Sequence, residues 1–135
     1  MDNKWRVYFG VFNFASDPQS ITEILGIEPH ESWCKGEAGP GNSTRTHDRW
    51  ELRGTKCSID SFEEQLDELL SILEGRRDQV RQVVEQFEAG ICCTATYHED
   101  ANPGFHLSET IIGRLASLGL SCDFDLYLFE GDDKS

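Results

Sequence analysis

Between Lys4 and Phe14 the chain alternates, with Trp5, Val7, Phe9 and Val11 set against Arg6, Tyr8, Gly10 and Phe12. A period of two predicts a strand with one firmly apolar face. In "DPQSITEILGIEP" the period changes. Asp17 can cap a helix, Pro18 suits its first position, and Ile21, Ile24 and Leu25 form an apolar stripe. Gly26 stops this helix as a left-handed cap and Pro29 prevents it from restarting. An extended arm carrying Trp33 follows. The stretch "KGEAGPGNSTRTHD" is rich in Gly and small polar residues and predicts a long exposed loop over residues 36–48. Arg49 to Arg53 then reads as a strand with Trp50 and Leu52 turned inward.

Ser61 to Glu88 carries helical periodicity. Phe62, Leu66, Leu69, Leu70 and Leu73 mark one apolar face, and Val80, Val83, Val84 and Phe87 mark the next. Gly75 lies between them, so two helices or one kinked helix are expected, the first capped by Ser58 or Asp60. Gly90 opens the strand "ICCTATYH", with Ile91, Cys93, Ala95 and Tyr97 on one side and Cys92, Thr94, Thr96 and His98 on the other. After the turn "EDANPG", Ser108 is a good N-cap, with Leu107 and Ile112 placed as a hydrophobic staple. Ile111, Ile112, Leu115 and Leu118 give that helix its stripe, and Gly119 ends it. "LSCDFDLYLF" is the clearest strand, with Leu120, Cys122, Phe124, Leu126 and Leu128 expected inside and Ser121, Asp123, Asp125 and Tyr127 outside.

This order predicts an α+β fold: a single antiparallel or mixed sheet with helices on one face, a layered sandwich related to the ferredoxin-like arrangement. A length of 135 residues suits one domain spanning 1–135, with residues 1–3 and 131–135 expected to fray. Strand, helix, Leu-Gly and strand occur in that order twice, around Gly26 and Gly119. Two helices ended by the same chemistry explain this as well as a short internal repeat does.

Charge narrows the function classes. The net charge is −13, from 25 acidic and 12 basic residues. Nucleic acid and anionic membranes are disfavoured partners, because both require a basic footprint. A basic protein partner fits through long-range steering, although the same charge also serves solubility alone. No apolar run approaches a membrane span, and "MDNKWRVYFGVFNF" lacks the shape of a signal peptide. Five cysteines then read as reduced thiols, and a cytoplasmic location is expected.

Several segments together resemble a known family: "DPQSITEILGIEPHESWCKGE", Trp50-Glu51, "FEEQLDELLSILE", "NPGFHLS" and "LASLGLSCDFDLYLF". They are similar to the bacterial domain-of-unknown-function family numbered 4279, over nearly the whole chain. "ITEILGIEP" followed by Trp33 and Lys35-Gly36 is the most specific part. The resemblance implies a small cytosolic protein and suggests a toxin-neutralising role. It carries no reaction, substrate or cofactor.

Five places offer chemistry. Trp33, Lys35 and Trp50 flank the long loop, and an aromatic pair beside a cation can hold a partner side chain or a planar ligand. The structural alternative is that both tryptophans pin the loop to the sheet edge. Tyr97, His98, Asn102 and His106 lie in or beside "EDANPG", where His98, Glu99, Asp100 and His106 bear metal-ligand side chains. Their spacing matches no closed ligand set, and a turn stabilised by Asp100 and Asn102 explains them equally, so no metal is expected. Cys93 and Cys122 lie on apolar strand faces, which leaves Cys34, beside Trp33 and Lys35, as the one thiol with a candidate reactive setting. Arg6, Tyr8 and Phe12 share the outer sheet face with Asp123, Asp125 and Tyr127, joined by Thr94, Thr96 and His98. Finally, Glu63, Glu64, Asp67, Glu68 and Glu74 form an acidic helix surface that can be either a wet face or a landing strip for a basic partner.

No acid–base or nucleophile set stands out, so no catalytic residue and no cofactor are assigned. The expectation is a non-enzymatic protein that binds another protein, of the immunity type that neutralises a toxin. The alternative is a small-ligand module using Trp33, Trp50 and the outer sheet face.

Overall fold

The computed structural model describes residues 4–54, 62–98 and 105–129. The cap at Ser58 or Asp60, the residues Glu99, Asp100 and Asn102, and the two chain ends lie outside these residues.

In chain order the elements are β1 (Lys4–Phe12), α1 (Pro18–Leu25), β2 (Glu31–Trp33), β3 (Arg49–Arg53), α2 (Phe62–Glu74), α3 (Arg77–Gln86), β4 (Glu88–His98), α4 (Glu109–Leu118) and β5 (Cys122–Phe129). The strands form one mixed sheet in the order β2-β3-β1-β4-β5. β1 pairs antiparallel with β3 and with β4, and β2 pairs antiparallel with β3. The first four strands therefore have the split βαβ arrangement of ferredoxin-like sheets. The unit α4–β5 adds a fifth strand, parallel to β4. The fold is α+β.

The helix signals lie where local chemistry places them. Asp17 Oδ1 accepts from the Gln19 amide at 2.9 Å, and Gly26 closes α1 with φ 71°. Ser108 Oγ accepts from the Ile111 amide at 3.2 Å, and Gly119 closes α4 with φ 74°. Both C-caps use the left-handed region that a side chain disfavours. Residues 62–86 form two helices that break at Gly75–Arg76. The helical periodicity runs on through Phe87 to Glu88, but the chain does not follow it. Phe87 is already extended (φ −134°, ψ 164°), because Glu88 pairs with Phe12 at the start of β4.

One layer of helices covers one side of the sheet. Val7, Phe9, Val11, Trp50, Leu52, Ile91 and Cys93 meet Ile21, Leu25, Leu66, Leu69, Leu70, Leu73, Val80, Val83 and Leu118 in a continuous core. Two aspects of the sequence pattern end differently. Ile112 is exposed and lies outside the core, so the stripe of α4 is Ile111, Leu115 and Leu118. Along β5, Phe124 still touches the Phe105 and Phe62 rings (centroids 4.5 and 5.9 Å), but Leu126 and Leu128 are 50% and 45% exposed. Their alternation marks a face correctly, yet at the sheet edge that face runs beyond the helices that cover it elsewhere.

Candidate functional site

Strand register decides which side chains share the uncovered face. Trp33 lies opposite Arg49 on β3, which lies opposite Phe12 on β1, which lies opposite Glu88 on β4. One step along, Glu31, Glu51, Gly10 and Gly90 form the next row across the sheet. Beyond it come Arg53, Tyr8, Cys92 and Asp123, and then Arg6, Thr94 and Asp125. These rows floor an open trough of about 1160 Å³. Gly10 and Gly90 are adjacent at its centre, where a side chain would collide: a Cβ on Gly10 would come within 2.5 Å of the Phe12 ring.

The loop after β2 builds one wall. It is a small hydrogen-bonded hairpin and not an open coil. Gly36 donates to Arg45 O at 2.9 Å, Arg45 donates to Glu37 O at 2.8 Å, and Ala38 bridges Thr44. Asp48 holds its base, accepting from the Lys35 amide at 2.8 Å and the Ala15 amide at 2.7 Å. These two backbone bonds hold the Asp48 carboxyl below its ordinary range. The result is that Arg45 is placed 3.7 Å above the Trp33 ring, a cation–π contact.

Arg49 lies 5.6 Å from the Trp33 ring centroid and donates to the Tyr8 hydroxyl. Arg53 donates to Glu31. Between them Glu51 is only 4% exposed, with Arg49 Nε at 3.4 Å and Arg53 at 3.7 Å. A buried carboxylate is tolerated there because two guanidiniums face it. The buried Nε atoms of Arg45, Arg49 and Arg53 have no hydrogen-bond partner among the described residues. Arg6, Arg45, Arg49 and Arg53 are four of the chain's eight arginines, so a strongly acidic chain gathers half of its guanidiniums on this face.

The outer-face residues Arg6, Tyr8, Phe12, Thr94, Thr96, Asp123, Asp125 and Tyr127 all line the trough. The two tryptophans, by contrast, are separated. Ser32 is opposite Trp50 and Trp33 is opposite Arg49, so Trp33 and Trp50 point to opposite sides of the sheet. Trp50 is fully buried under α1, donates from Nε1 to Thr22 Oγ1 at 3.0 Å, and meets Phe9 edge-on at 6.2 Å. It is a core residue and does not reach the trough.

Lys35 is exposed, tied through its amide to Asp48, and does not line the trough. Tyr97 is half-buried and lies on the helix-side parity of β4 with Ile91 and Ala95. His98 falls at an outer-face position of β4 opposite Phe129, and His106 is exposed just before α4. No group of three or more metal-ligating side chains comes together among the described residues. No helix among them is long and apolar enough to cross a membrane.

The Cys34 and Cys92 thiols are held protonated. Cys34 Sγ donates to Ser16 O at 3.8 Å, and its pKa is raised by lost hydration and by the nearby carboxylates of Glu37, Asp48 and Asp17. Burial pushes Cys92 up to about 11. On the helical side Arg114 grips Glu74 with two bonds (2.9 and 3.0 Å) and the Asp67 carboxylate with one of 2.6 Å. Part of the acidic surface of α2 is therefore engaged within the molecule.

A family model described as "Domain of unknown function (DUF4279)" matches residues 3–129. The chain belongs to the DUF4279 family. Comparisons with curated proteins and with solved structures give no match. In this DUF4279 domain the residues that sequence reasoning missed are Arg45, Arg49 and Glu51. Arg49 and Glu51 carry a usable signal: Arg49 must face away from Trp50, its neighbour in an alternating strand, and Glu51 likewise. Arg45 carries none, because its position depends on the hairpin.

Proposed function

We propose that this protein is a non-enzymatic binding protein and that the outer face of its sheet receives a protein partner. One observation carries the reading: a guanidinium stacked on Trp33, next to a second guanidinium bonded to Tyr8, at one end of an open trough. Arginine and large aromatics dominate the energetic centres of protein interfaces. The guanidiniums of Arg45 and Arg49, which line the trough, favour a carboxylate of the partner at that end. Asp123 and Asp125 at the other end suit a cationic group, and the overall charge of −13 draws a basic partner toward the molecule. An immunity-type protein covering a toxin's site is one form that such binding would take.

The alternative is a small planar anion held between the arginines and Trp33. The same donors support it, but the trough is wide and open for a small molecule. Affinity capture from the source cell with the native chain and with Trp33→Ala and Arg49→Met separates the readings. A protein retained by the native chain and lost from both variants supports the first. A small molecule co-purifying in native mass spectrometry supports the second. If everything captured by the native chain is also captured by both variants, the outer face is not the binding surface.

A further inference from the structure

We propose that β5 is the seam of a symmetric dimer, in which two copies of this chain join edge to edge into one continuous sheet. This is independent of what the outer face binds. Among the described residues no strand lies beyond β5 in the sheet. The opposite edge, β2, is blunted by its length of 3 residues, whereas β5 runs for 8. Long unprotected edges with apolar side chains are templates for another strand. Of the large apolar residues exposed on the described surface, only Ile112 lies outside β5. Phe124, Leu126, Tyr127 and Leu128 are 37%, 50%, 58% and 45% exposed.

The backbone fixes which residues would do the pairing. Ile91 pairs with Cys122 and donates to Ser121 O at 2.9 Å, so Ser121 turns its carbonyl toward β4. In an extended strand successive residues alternate direction. The N–H and C=O groups of Cys122, Phe124, Leu126 and Leu128 therefore point to the free edge, beside the apolar side chains that need cover.

Charge then selects the register. A two-fold axis makes the contact self-complementary and the strands antiparallel. Centred on Phe124, it sets Asp123 of each copy against Asp125 of the other. Centred on Asp125, it sets that carboxylate against itself. Like charges directly opposite are destabilising. Centred on Tyr127, it overlaps only residues 125–129. Centred on Leu126, it pairs residues 123–129 of both copies with no acid opposite an acid. Leu126 then meets Leu126, Phe124 meets Leu128, and Asp125 meets Tyr127. The axis is perpendicular to the sheet, so both arginine-lined troughs open on the same side and the dimer presents two binding faces together.

The test is light scattering of the full chain after size exclusion, with Leu126→Lys as the disrupting variant. The expected result is a mass of two chains for the native protein and of one chain for L126K, with unchanged circular dichroism. Because each copy carries −13, the dimer should tighten as salt rises. A native protein that stays monomeric over the concentration and salt series overturns the proposal. Register is read separately with single cysteines under diamide. Residues in a hydrogen-bonded antiparallel pair lie about 5.5 Å apart at Cα, within disulfide reach. L126C should cross-link to itself and D123C should not exceed the native background. Equal cross-linking of the two overturns the register.

Discussion

Trp33 and Trp50 occupy adjacent strands one register step apart and project from opposite faces of the sheet. One carries Arg45 above its ring, while the other is locked under α1 by its bond to Thr22. Substitution should therefore separate stability from binding. Trp50→Ala should cost about 3–5 kcal/mol of unfolding free energy, the range for emptying a core site of an aromatic. Trp33→Ala should cost less than about 1 kcal/mol, since surface changes away from buried features usually fall near 0.5 kcal/mol. Urea unfolding of both variants measures the difference.

Thr22 isolates the polar part of the same lock. In Thr22→Val the buried indole N–H loses its acceptor while shape is nearly kept. An unsatisfied buried donor costs about 1–3 kcal/mol. The denaturant midpoint should fall with an unchanged slope.

Asp48 gives the fold an acid sensitivity. Its folded pKa lies below its unfolded value, because two backbone amides bond the charged form. The stabilisation is therefore present above the unfolded carboxyl value, about pH 4, and is lost as pH falls through the depressed folded value. Asp48→Asn should be less stable at pH 7 and should lose less on acidification than the native chain. Unfolding curves measured across pH 2–7 give both slopes.

Cys34 should alkylate slowly at neutral pH, because lost hydration and the carboxylates around it keep the thiol protonated. Its rate with iodoacetamide should go on rising past the pH at which an unperturbed cysteine levels off. Cys92, pushed up to about 11 and buried, should stay unmodified until the chain unfolds. Peptide mass spectrometry over a pH series distinguishes the two.

Gly10→Ala should displace the Phe12 ring, since the added carbon would lie 2.5 Å from it. The ring's far end stands on the open face and can swing aside, so the expected loss is less than about 1 kcal/mol. Combining it with Phe12→Ala should recover part of that loss. A double-mutant cycle checks whether the two residues couple.

The sequence was most legible where physics is local. Asp17, Gly26, Ser108 and Gly119 act through their own backbone and neighbouring amides, so the bounds of α1 and α4 could be read directly. Strand alternation also reported faces correctly, and the outer row from Arg6 to Asp125 was assembled from it. Alternation does not say whether a face is covered, which is why Leu126 and Leu128 read as interior. It also does not rank neighbours: Trp33 and Trp50 looked like a pair because they flank one loop. Arg45 is not legible because its position comes from its backbone bonds to Glu37 and Gly36 and from Asp48 holding Lys35 and Ala15, which no periodicity encodes.

The hairpin between Gly36 and Arg45 meets the rest of the chain at its base, where Glu37 bonds Cys34, Asp48 holds Lys35 and Arg45 stacks on Trp33. Its tip contributes nothing to the core. Residues 38–44 can therefore be exchanged or lengthened as an interchangeable cartridge, re-aiming the cation above Trp33 while the sheet beneath keeps its alignment. Sequence variation has a natural place to accumulate there, at little cost to folding.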